Sequence, residues 1–154
     1  MAAIPCSEIP GAFRVEFDAA NKILMFRLEG RVTEESTLEL HRAIRKYMAA
    51  TDARAAITDY TFATEFAISS GSIRHLASLE PPTTRPRVLV LPQTYGYGLG
   101  RMYGLLQEPK NPRLQVVHDI DEAFAALGVQ SPHFELLKQT PVRQSNPQSK
   151  TGNV

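Results

Sequence analysis

One repeated alternation restricts what this chain can fold into. Short apolar runs at residues 23–28, 55–58, 87–91 and 114–118 each precede a stretch whose apolar residues recur every three or four positions. Period-two or continuously apolar runs make strands, and 3.6-residue periodicity makes helices with one buried face. Ahead of them, Phe13, Val15 and Phe17 alternate with polar residues as a half-buried strand requires. Asp18-Ala19-Ala20-Asn21-Lys22 is a hairpin-length loop, so the first two strands should be antiparallel neighbours. A hairpin followed by βα units implies one α/β domain with a mixed, mainly parallel five-stranded sheet and about four helices. The expected boundaries are a flexible arm over 1–11, the domain over 12–129 and a mostly disordered tail over 130–154.

Local signals refine this outline. Gly30 is expected to end the second strand and Thr33 to cap a helix, with Glu34 and Glu35 in its first turn complementing the helix dipole. Leu40, Ala43, Ile44, Tyr47 and Met48 form that helix's apolar stripe, and Arg42, Arg45 and Lys46 fall on its solvated side. Ile73, Leu76 and Ala77 should face inward from the next helix, and Leu99, Met102, Tyr103 and Leu106 from the third. Asp119 with Glu122 reads as a capping box, and Gly128 as the stop of the last helix. Pro86 fits just before a strand. Residues 131–137 are expected to make one helical turn docked on the domain. Beyond about residue 138 the chain is polar, with too little apolar surface to offset its ordering entropy.

Composition excludes more than it selects. With 17 basic and 16 acidic residues among 154, the formal charge is +1, which implies no long-range pull toward nucleic acid or an anionic membrane. The single cysteine, Cys6, can neither close an intramolecular disulfide nor complete a CxxC site. His41, His75, His118 and His133 carry no metal-ligand spacing, so neither metal nor cofactor is expected. The N-terminus lacks the basic region and apolar core of a signal peptide, and no apolar run approaches membrane-spanning length, so a cytoplasmic protein is expected.

The chemistry-bearing stretch is Ile57-Thr58-Asp59-Tyr60-Thr61, followed by Ser69-Ser70-Gly71-Ser72-Ile73-Arg74. An apolar run ending in an acid, then a loop, then small polar residues opening a helix is where an α/β domain places an anion. Four segments carry a family resemblance. Ile23-Leu24-Met25-Phe26-Arg27-Leu28-Glu29-Gly30-Arg31 resembles a second strand with its Gly, and Ile57-Thr58-Asp59 resembles a strand ending in Asp. Phe66-Ala67-Ile68-Ser69-Ser70-Gly71 resembles a phosphorylation motif, and residues 87–91 and 119–127 resemble a late strand and closing helix. Together they resemble a STAS-type domain of the SpoIIAA-like, anti-sigma factor antagonist-like set. That resemblance implies a regulatory module without catalysis of its own, phosphorylated by a partner kinase on the serine before the Gly. By position this is Ser70, with Ser69 and Ser72 as alternatives, and Asp59, Thr61, Ser69, Gly71 and Arg74 would contact the partner. The motif's usual Asp is replaced here by Ile68.

Other readings of the same residues compete. Ser69-Ser70 would cap a helix with no phosphate involved, a role worth about 1 kcal/mol. Asp59, Ser70 and His75 have the residue types of a hydrolytic triad, but no Gly-x-Ser-x-Gly elbow exists. The glycine run from Tyr95 to Gly104 fails the GxGxxG spacing and leaves a flexible helix entry with Arg101 nearby. An apolar cleft lined by Phe62, Phe66, Leu99 and Tyr103 would make the chain a carrier of a small apolar or lipid-like ligand, the alternative function. Residues 13–17, as an exposed edge strand, offer a route to a homodimer.

Overall fold

The computed structural model describes residues 12–139. Its elements are β1 (Ala12–Asp18), β2 (Ile23–Thr33), α1 (Glu34–Ala50), β3 (Ala55–Ala67), α2 (Ser70–Ser78), β4 (Arg87–Val90), α3 (Thr94–Gln107), β5 (Leu114–Val117), α4 (Ile120–Leu127) and β6 (Glu135–Gln139). They form one six-stranded sheet in the order β5-β4-β3-β2-β1-β6. The β1–β2 and β1–β6 pairs are antiparallel, and the other three are parallel.

Side-chain alternation divides the sheet into two faces. Val15, Leu24, Phe26, Ala56 and Leu89 point to the face covered by α1, α2 and α3. Ile23, Met25, Ile57, Val88 and Val90 point to the face on which α4 packs through Ala123 and Leu127. Because β2 lies between both layers, Ile23, Leu24, Met25 and Phe26 are all fully buried. Each such side chain contributes about 1.5–3 kcal/mol relative to exposure. That explains why this run reads as continuously apolar rather than alternating.

Capping follows the sequence with small differences. Thr33 Oγ1 accepts from Ser36 N at 3.1 Å, and Ser36 Oγ accepts from Thr33 N at 2.9 Å, a reciprocal box with serine in place of the usual acid. Asp119 Oδ1 accepts from Glu122 N at 2.9 Å, but Glu122 reaches the backbone N–H of His118 rather than that of Asp119. Gly128 stops α4 in the left-handed region at φ 66°.

Several expectations are corrected. The sheet has six strands, not five: residues 135–139 are a strand beside β1, where a helical turn over 131–137 was expected. The edge that β1 would have offered to a second copy is therefore occupied. Leu136 and Leu137 are 52% and 46% exposed, so this edge strand buries neither alternate set and shows no period-two pattern. Gly30 does not end β2 but sits inside it at φ 77°, at a register shift against β3 where a side chain would be strained. The strand read as 55–58 continues through Ala67. Leu106, assigned to the α3 stripe, is 43% exposed. Cys6, the arm over 1–11 and the tail beyond 139 lie outside the described residues.

Candidate functional site

Helix α2 begins where β3 leaves the sheet, on the face shared with α1 and α3. Ser69 is its N-cap: extended at φ −94° and ψ 167°, it accepts through Oγ from Ser72 N at 3.1 Å. Ser72 Oγ donates to Glu34 Oε1 at 2.9 Å, which ties the start of α2 to the start of α1. Two of the three serines are thus engaged in holding the turn. Ser70 is different. It is the first helical residue, it is exposed, and among the described residues its hydroxyl makes no hydrogen bond. Gly71 is exposed, and a Cβ there would meet only Ser69 Oγ at 3.6 Å, so packing does not demand a glycine. Arg74 is exposed one turn beyond Ser70, the spacing at which helical side chains meet. Tyr95, 58% exposed, donates its hydroxyl to Ile68 O at 3.1 Å and lays an aromatic ring beside the same turn.

Asp59 and Thr61 do not belong to this surface. Asp59 lies two residues after Ile57 and so shares the α4-side face, whereas the next residue, Tyr60, packs with the α1–α3 core. Its side chain is 2% exposed, and Oδ2 accepts from Arg27 Nη1 at 2.9 Å. Oδ1 accepts from Thr61 N at 2.9 Å and from Thr61 Oγ1 at 2.5 Å. Arg27 also reaches Glu16 Oε1 at 3.1 Å, and Arg14 Nη2 lies 3.0 Å from Glu16 Oε2. An acid whose oxygens are occupied in this way holds strands together; it is not available to touch a partner. The same geometry removes the triad, because Asp59 faces away from α2, and Ser70 and His75 are both exposed.

Between α1, α2, α3 and the sheet lies a cavity of 60 Å³ whose lining is predominantly apolar. Phe66, Leu99 and Tyr103 line it, as expected of the cleft, but Phe62 does not: it is 61% exposed, and its register opposite Glu29 puts it on the other face. The glycine run, expected as a flexible helix entry, is regular helix. It lies within α3, which begins at Thr94, and Cβ atoms at Gly96 would approach Phe66 Cε2 and Cζ to 2.6 and 2.7 Å. These glycines let the helix press onto the sheet. Among the described residues no three His, Cys, Asp or Glu side chains converge as a metal site, and no helix is long and apolar enough to cross a membrane.

No family model matches the chain, and no curated protein matches it. Among solved structures, an anti-sigma factor antagonist from Mycobacterium paratuberculosis aligns at a TM-score of 0.51 and 19% sequence identity. The match covers 82% of this chain and 99% of that one. The chain has the fold of an anti-sigma factor antagonist. The STAS-like resemblance drawn from the sequence is borne out at the level of fold.

Two residues of consequence carried no weight in the sequence reading. Arg27 interrupts an apolar strand, and a lone charge in a central strand is a signal that a buried partner exists. Arg87 opens β4, where a strand-initial arginine ordinarily reaches solvent; here it is 5% exposed.

Proposed function

We propose that this domain is a non-enzymatic regulatory module that docks a protein partner on the N-terminal end of α2, and that phosphate on Ser70 weakens the docking. The observation that carries the reading is the division of labour among three adjacent hydroxyls. Ser69 and Ser72 are engaged in the helix cap and the α1 contact, while Ser70 is exposed and uncommitted. A hydroxyl with no structural duty can be modified without unfolding the helix start. Phosphate there would add about −1.5 to −2 charge beside the free N–H groups of the first turn, and Arg74 stands one turn away. The solved structure of like fold is described as an anti-sigma factor antagonist, which fits a module of this kind.

The modified surface would change in two ways. The α2 terminus would be stabilised by the dipole and by Arg74, while a partner shaped to the neutral surface would meet a desolvated dianion. Gly71, Arg74 and Tyr95 complete the contact, and Asp59 is not part of it. The test is co-purification from host cells with wild type, Ser70→Ala and Ser70→Asp. Retention of one partner by wild type and Ser70→Ala, with loss from Ser70→Asp, supports the switch. Identical partners on all three refute it.

A further inference from the structure

Arg87 is the anomaly of the interior. It stands at the start of β4 on the face covered by α1–α3 and lines the cavity behind α2. Its Nη1 donates to Tyr103 Oη at 3.2 Å, its guanidinium carbon lies 5.7 Å from the centre of the Tyr103 ring, and its Nε has no acceptor. Among the described residues no carboxylate forms a salt bridge with it. A guanidinium does not shed its proton to escape burial, so the charge persists without a counter-ion among the described residues.

The neighbouring titratable groups do not supply one. Burial pushes the Tyr60 hydroxyl up to about 12, although Arg87 pulls it the other way, so Tyr60 stays neutral. His41 is held below its ordinary value, first by burial and further by Arg87, Arg45 and Arg42, even though its Nε2 donates to Glu80 O at 2.8 Å. The cavity lining thus includes one cation, two neutral tyrosines and a neutral imidazole. Apart from Thr37, whose hydroxyl donates to Glu34 O, the other side chains of the wall are hydrocarbon.

We propose that this cavity is a binding site for a small monocarboxylate with an apolar body, its carboxylate paired with Arg87 and its hydrocarbon among Leu40, Ile44, Ile73, Leu76 and Leu99. With Nη1 turned to Tyr103 and Nε enclosed, Nη2 is the guanidinium nitrogen left for a carboxylate oxygen, through one charge-assisted hydrogen bond. A single cation suits a single negative charge; a phosphate dianion would leave charge uncompensated in an apolar wall. The 60 Å³ accommodates about four to six water-sized positions, which suits an acid of about six to nine non-hydrogen atoms. His41, Phe66 and Leu76 are the half-buried residues of the lining. The site lies behind the α2 docking surface and does not depend on Ser70.

The test is calorimetric titration of the full chain with hexanoate and benzoate, against hexanamide and benzamide as neutral isosteres. The expected result is carboxylate binding at least tenfold tighter than that of the matching amide. Arg87→Met should weaken carboxylate binding at least tenfold while melting at or above the wild-type temperature, because an uncompensated charge has been removed. Leu76→Trp, which fills the cavity and keeps Arg87, should abolish binding and serves should Arg87→Met not fold. Equal affinity for acid and amide, acid binding unchanged in either variant, or no binding of either acid would each overturn the proposal.

Discussion

The close approach of α3 to the sheet can be tested with two glycines a few residues apart in the same helix. At Gly98 a Cβ would meet nothing within 4 Å, so Gly98→Ala should gain only the helix preference for alanine, about 1 kcal/mol. At Gly100 the same gain is opposed by packing. Its Cβ would fall against Leu91 Cδ1, well inside contact distance, and 3.2 Å from Val116 Cγ1. Overpacking of this kind costs about 1–3 kcal/mol. Leu91 also lines the cavity and has space to give, which places the cost at the lower end, about 1–2 kcal/mol. The helix-preference gain is common to both variants and cancels in their difference. At about 4 °C per kcal/mol for a domain of this size, Gly100→Ala should melt about 4–8 °C below Gly98→Ala. Circular dichroism melts of the two variants, side by side, read the difference directly. Equal melting temperatures would refute the claim that these glycines let α3 press onto the sheet.

The serines should separate in stability as they do in geometry: Ser69→Ala should cost about 1 kcal/mol through loss of the cap. Ser70→Ala should stay within about 0.5 kcal/mol, both read from urea midpoints. Asp18 offers a pH test. Burial alone raises its pKa, but donation from Asn21 and from the His133 N–H outweighs it and holds the carboxyl below 3.8. A depressed folded pKa means a contribution that is full above the unfolded value and lost as the pH falls through the folded one. Asp18→Asn should therefore flatten the stability loss between about pH 5 and about pH 2, measured by urea unfolding at each pH. Deleting residues 135–154 uncovers the β1 edge, and sedimentation should then show more self-association than the full chain at equal concentration. An unchanged sedimentation profile would mean that β6 does not shield that edge.

The hairpin and the βα alternation are legible because Phe13, Val15 and Phe17 alternate and because the helical stripes at Leu40–Met48 and Ile73–Ala77 bury the faces their spacing implies. The second half of β3 is not legible. Register shifts against β2 break its alternation, so Thr61, Phe62, Thr64 and Glu65 read as loop although they lie in a strand. Asp59 was placed at the loop mouth because strand-end acids often sit there, but its fate depends on Arg27, 32 residues away. No local pattern reports such a pairing. The α2 turn was readable down to the serines, since capping is a local property. That Ser72 is tied down while Ser70 stays free depends on Glu34 across the α1 contact, and that is tertiary information. Arg87 was hidden for the same reason: a charged residue opening a strand looks ordinary until helices close over it.

Phosphate mapping on the chain isolated from its host, with the affinity of a captured partner measured on the same material, tests the central claim most directly. The account predicts phosphate on Ser70, none on Ser69 or Ser72, and a partner affinity that falls at least tenfold on modification. Phosphate confined to Ser69 or Ser72, or an affinity indifferent to phosphate on Ser70, would contradict it.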